Sequence, residues 1–336
     1  MTVSIGLLIV SVATLFCYIL IGFVLNKTRI AGKDFASSIS VFVVYGAQIA
    51  MFIHGYIAPF DAEVFRGMIA VFILSFVIHG GAYLIGAKLF SRSPEKIKSA
   101  LIFGSVFSNA GYMGMPLISD VLGEEYLIYA TIYLVWFNVF AFSLGRYIYS
   151  GDTSYIKPLR TVLNPAVVPI TIGLIIYVTG IGGWLAEMSA RDASGVLLHN
   201  DFLGNAVSIL TGVIDSLRRI VAPATMVIIG CRLAEVKPKG LFADKHLYFF
   251  LAVRHFMFPI LAFLVMKPFE MLGILDTTVM SVVLVLASTP AASATSIFSE
   301  LYGKGRTDSA YAGSIVAVST LLSIVTMPLV ALLLKI

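Results

Sequence analysis

The chain has 336 residues, 59% of them hydrophobic and only 12% charged, with a net charge of +5 and a mean hydropathy of +0.97. A water-soluble protein carries roughly twice that share of charge, so this composition excludes a soluble enzyme and makes the lipid bilayer the expected surrounding. The surplus Lys and Arg sit in short loops, where they act as orientation signals and not as a nucleic-acid surface.

Ten apolar segments are predicted in chain order, at about residues 4–25, 35–58, 65–90, 97–121, 124–149, 161–181, 204–234, 243–266, 275–300 and 307–334. No Lys or Arg precedes the first, so it reads as a span and not as a cleaved leader. The loops after the odd segments hold sixteen Lys and Arg: Lys27, Arg29, Lys33, Lys88, Arg92, Lys96, Lys98, Arg146, Lys157, Arg160, Arg232, Lys237, Lys239, Lys245, Lys304 and Arg306. The other loops hold Arg66, Arg191 and Lys267. By the positive-inside rule the odd loops are cytoplasmic and both termini extracytoplasmic. Five spans per half then make the halves inverted repeats, residues 1–150 and 161–336, joined by a connector at 151–160.

Two segments are interrupted at matching places. Asn109-Ala-Gly-Tyr-Met-Gly-Met-Pro116 falls in the fourth and Ser288-Thr-Pro-Ala-Ala-Ser-Ala-Thr295 in the ninth. Asn, Gly and Pro form poor continuous helix, and irregular backbone at membrane depth survives only inside protein or around a watery site. Gly111, Gly114, Pro116 and Pro290 are therefore expected to shape a crossover of two broken helices. A further break is expected near Ala222-Pro223 in span seven, matched by a weaker one at Tyr45-Gly46 in span two.

Polar residues deep in these segments are the candidate ligands. The Asn109 amide donates to a carboxylate and also satisfies freed carbonyls, unless it only caps the following half-helix. Ser288, Thr289 and Ser293 surround Pro290 with hydroxyls that bind substrate or bond one turn back. Arg254, mid-span, must face protein, water or an anion; its two readings are a bond to crossover carbonyls and a substrate contact. Gln48 and Asn138 are either packing polar groups or cavity lining. His54, His79 and His255 read as satisfied structural residues, and Asp215, Arg218 and Arg219 as an ion-pair cluster on one helix face. Glu124, Glu125, Glu187 and Asp192 read as solvated loop charge. Cys17 and Cys231 read as small core residues without a disulfide or metal set. No zinc, phosphate-loop or nucleophile-elbow motif is present, so neither an enzyme nor a cofactor is expected.

The same stretches resemble the auxin efflux carrier family. Asn109 through Pro116 is similar to its Asn-x-x-x-x-Gly-x-Pro segment, Asn164-Pro165 to its opening of span six, Arg254 through Pro259 to its pattern in span eight, and Thr289-Pro290 through Gly303 to its second crossover and loop. The short connector, Ser108 in place of a crossover proline, and Ala291 in place of a polar residue depart from the plant exporters and point to a bacterial or archaeal member. The resemblance implies an all-α integral membrane protein with a scaffold domain of spans one, two, six and seven. Spans three to five and eight to ten form the transport domain. It also implies efflux of a small organic anion, a carboxylate, by an elevator motion with the substrate at the crossover, in a plasma-membrane homodimer. A coupling proton or sodium ion is an expected partner. A transporter-like receptor or regulator and a passive anion channel are the alternatives.

Overall fold

The computed structural model describes residues 5–32, 34–156, 166–235 and 243–334. The long helices are α1 (Ile5–Lys27), α2 (Phe35–His54), α3 (Ala62–Leu89), α6 (Glu124–Ser150), α9 (Phe202–Glu235), α10 (Lys245–Met271) and α13 (Ser309–Leu334). Between them lie three interrupted pairs. These are α4 (Glu95–Val106) with α5 (residues 110–121), α7 (Val167–Val178) with α8 (Ile181–Met188), and α11 (Thr277–Ser288) with α12 (Ala294–Tyr302).

Among the described residues six helices are long and apolar enough to cross a bilayer, or seven when α7 and α8, bent by 81°, are one span. Ten spans are obtained only by also counting α9, which carries Asp215, Arg218 and Arg219, and the pairs α4–α5 and α11–α12. Span six, expected at 161–181, is described from α7 onward and turns at Gly180, whose φ of 80° suits a residue without a Cβ. Asn164 and Pro165 lie outside the described residues, as do Lys33, Lys157, Arg160, Lys237 and Lys239.

The expected break at Ala222-Pro223 is absent: Pro223 sits inside the uninterrupted α9. One missing N–H is tolerated there because α9 is clamped along its length. α9 and α1 pack so closely that a Cβ on Gly230 would stand 2.0 Å from Ile19 O, and one on Gly22 2.0 Å from Val227 O. Small residues permit this backbone approach where no hydrophobic force drives helices together. Tyr45-Gly46 likewise lies in a π-bulge, Val43–Ala47, and not in a break. Cys231 is buried beside Gly22 O, whereas Cys17 is exposed and so is not a core residue.

Charge and loop packing agree on two distinct ends. At the basic end, Asp308 N–H donates to Lys96 O at 2.8 Å, Arg306 donates to Ser150 O, and Asn26 Nδ2 meets Glu235 Oε1 at 3.3 Å. Arg146 is enclosed by the rings of Phe142, Tyr155 and Tyr302, 4.9–5.6 Å from their centroids. Asp244, ahead of α10, receives the Tyr311 hydroxyl at 2.6 Å and faces His246 Nδ1 at 2.9 Å. Burial opposes its charge, but these donors together hold its carboxyl below the usual range. At the opposite end, Asp61 N–H donates to Tyr177 Oη at 3.0 Å, and Arg218 reaches Glu124.

Candidate functional site

The two broken pairs cross. Thr289 precedes Pro290, whose ring excludes the α-region for the residue before it, and Thr289 is extended at ψ 154°. α11 therefore stops. α4 stops at Phe107, also extended at ψ 111°. The two extended stretches then pair: Asn109 N–H donates to Pro290 O at 2.7 Å and Ala292 N–H to Phe107 O at 2.9 Å, with Ser108 antiparallel to Ala291. Ala291 N–H donates to Ser319 Oγ of α13 at 3.0 Å. Backbone groups that hydrocarbon would leave orphaned are thus satisfied within the protein.

Arg254 completes the arrangement. It lies in a π-bulge of α10, Val253–Met257, and is 2% exposed. One terminal nitrogen donates to Ser105 O at 2.8 Å and the other to Ala287 O. Both carbonyls belong to the last turn of a half-helix, the ends of α4 and α11, where the macrodipole is negative. One buried cation therefore faces two half-helix C-termini. The terminal-nitrogen bonds match the carbonyl-bonding reading of Arg254, while Nε, buried without a partner, leaves a donor for the substrate reading.

The opposite ends of the break point the other way. α5 and α12 begin at the crossover, and a helix N-terminus carries about half a positive charge with N–H groups directed outward. Asn109 stands just ahead of α5, 2% exposed; its side chain makes no capping bond, and Nδ2 has no partner. The capping alternative is therefore corrected. The Asn109 carbonyl opens the helix, accepting from Met113 and Gly114 N–H. Gly111 is close to Gln48: a Cβ there would lie 3.6 Å from Gln48 Nε2. Gly114 allows α5 to approach α11, since its Cβ would stand 2.6 Å from Leu286 Cδ2. Pro116 lies just after the π-helical turn Ala110–Gly114, at the start of the α-helical stretch Met115–Val121 of α5.

Other candidates separate from this group. Ser288 Oγ donates to Leu284 O and Thr289 Oγ1 to Leu286 O, so both hydroxyls bond back along α11. Asn138 Nδ2 donates to Leu134 O within α6. Ser293 Oγ, at the second break, is buried without a partner, and so is Thr295 Oγ1. Thr295 was not anticipated, although it follows Ser293 by two positions. Ser319 was also missed: it lies far along the chain in an apolar helix and is held by His255 Nε2 at 2.9 Å, with Thr326 on the other ring nitrogen. His79 Nδ1 faces Ser75 O, but Nε2 is buried without a partner, so the ring is only half satisfied, against the expectation of a satisfied histidine.

A cavity of about 120 Å³ beside the crossover is lined by Val77, Ala82, Tyr133, Arg254, Phe258 and Ala287. A larger open hollow of about 480 Å³ on α9, by Arg191 and Ser208, holds none of the candidate residues.

Broken helices that cross through extended backbone in an all-helical, apolar chain define a membrane transport fold. Residues 7–151 match the family described as membrane transport protein, and residues 220–335 match the sodium bile acid symporter family. Both matches point to a membrane transporter, and the resemblance to the auxin efflux carrier family read from its motifs is borne out. No curated protein matches it.

Proposed function

We propose that this protein is a secondary carrier of small organic anions, carboxylates in particular, which bind where α5 and α12 begin. The observation that carries the reading is the buried, unpartnered Asn109 Nδ2 at the crossover, beside two half-helix N-termini. A buried donor without an acceptor costs about 1–3 kcal/mol, and a carboxylate oxygen would supply the missing partner. Charge favours the same ligand. Arg254 is matched by two C-terminal ends, leaving the two N-terminal ends to balance a negative charge. One of the matched families is named for bile acids, which are themselves carboxylates.

The elevator motion, the scaffold of α1, α2, α7 and α9, and the transport domain of α3, α4–α5, α6, α10, α11–α12 and α13 belong to this proposal. So do a homodimer through the scaffold, a plasma-membrane location and extracytoplasmic termini. Gln48, on a scaffold helix but adjacent to Gly111, supplies a polar contact to the moving site.

A thermal-shift screen of the purified protein against mono- and dicarboxylates tests the ligand class. A ligand at about a hundred times its Kd is expected to add about 2.7 kcal/mol of stability. Stabilisation by organic cations or neutral solutes, with none by carboxylates, would refute the assignment.

A further inference from the structure

The ion pair between Arg218 and Glu124 crosses the boundary between the two proposed groups of helices. Arg218 lies on α9, its side chain only 8% exposed, and Glu124 opens α6. One terminal nitrogen of Arg218 is 2.8 Å from both Glu124 oxygens. Glu124, with 46% of its side chain exposed, is solvated as its sequence setting suggested, and it is also ion-paired. Asp215 holds the guanidinium in place: Arg218 Nε donates to Asp215 Oδ1 at 2.7 Å, while Arg219 Nε donates to Oδ2 at 3.0 Å. His54 of α2 faces Asp215 Oδ1 at 3.7 Å. Close by in sequence, the hydroxyls of Tyr56, after α2, and Thr131, on α6, lie 2.8 Å apart and join the same two groups.

Among the described residues, every other ion pair joins members of one group of helices. At the basic end, the Asp308–Lys96, Arg306–Ser150 and Tyr311–Asp244 bonds lie within the transport group, and Asn26–Glu235 lies within the scaffold. Polar fastening across the boundary is thus concentrated at the end away from the basic loops.

We infer that Arg218 and Glu124 form a latch that holds the external side of the carrier closed and must open for the crossover to become exposed outside. The inference rests on the two-domain reading above. An elevator displacement of even one helical turn, about 5.4 Å, separates a 2.8 Å contact completely, so the pair exists in one end state only. Its geometry is chelating, and Asp215 orients the arginine in advance, which limits the ordering entropy that weakens most surface pairs.

The test uses full-length protein with Cys17→Ser, Cys231→Ser and Ser293→Cys as a reporter at the second break. The rate of reaction with a membrane-impermeant thiol reagent added outside is measured. Glu124→Gln is expected to raise that rate about fivefold, the population shift of a pair at the upper end of the exposed range. Glu124→Asp, which keeps the charge, should stay near the parent rate. Protection of the reporter by a carboxylate that stabilises the parent protein reports the crossover site independently. Protection with an unchanged rate in Glu124→Gln would overturn the latch alone. Loss of protection in the parent would overturn the crossover site on which the latch depends.

Discussion

Arg254→Met is expected to destabilise the protein by roughly 2–5 kcal/mol, the largest effect of any single substitution near the crossover. Removing the guanidinium orphans Ser105 O and Ala287 O, and each unpaired backbone group in a dry membrane interior costs several kcal/mol. Relief from burying a cation returns only about 2.5–3.5 kcal/mol, so the loss prevails. Two negative half-helix ends would also face each other without a counter-charge. Arg254→Lys should fall between, because a compact ammonium does not reproduce a planar fork reaching two carbonyls. Thermal unfolding in detergent checks this order. Parent-like stability in Arg254→Met would show that the carbonyls find other donors, and that the arginine is free to serve the substrate directly.

Asn109→Ala is expected to weaken carboxylate binding by about ten- to a hundredfold, the loss of one donor to a charged group, about 1.5–3 kcal/mol. The effect on stability should be small, which separates this variant from Arg254→Met. Asn109 Nδ2 bonds to nothing in the fold, and its side chain caps no helix. The backbone N–H and carbonyl that build the crossover remain in the alanine variant. Affinity from ligand-induced thermal shifts and unfolding midpoints from the same samples give both readouts. A large drop in the midpoint would assign Asn109 to architecture.

Much of this arrangement was legible in the residues. Pro290 announces the second break because proline forces its predecessor out of helix, and Thr289 obeys. Gly111, Gly114 and Pro116 marked the first break only to within a few residues: all three lie in the helix that follows, and the non-helical stretch is 107–109, where no proline precedes the crossover. Pro223 misled, because a proline looks the same in sequence whether its helix breaks or is held straight by a neighbour. The neighbour here is α1, and its close approach through Gly22 and Gly230 is a tertiary fact. The role of Arg254 was narrowed to two options, and only geometry separates them. Its acceptors, Ser105 O and Ala287 O, are backbone atoms that any sequence would carry. Ser319 gave no signal for the same reason, since one serine in an apolar helix bonds its own backbone in most settings. Glu124 reads as solvated charge and is half exposed; only its pairing with Arg218, 94 positions along the chain, was invisible in the sequence.

Carrier transport of a carboxylate through the crossover is tested most directly by flux into sealed proteoliposomes. Uptake of a radiolabelled monocarboxylate that stabilises the protein should saturate with concentration. Unlabelled substrate trapped inside should accelerate it, and Asn109→Ala should slow it about five- to fiftyfold at substrate concentrations near the parent's half-saturation. Binding without uptake, or uptake that rises linearly without saturation or exchange, would contradict a carrier.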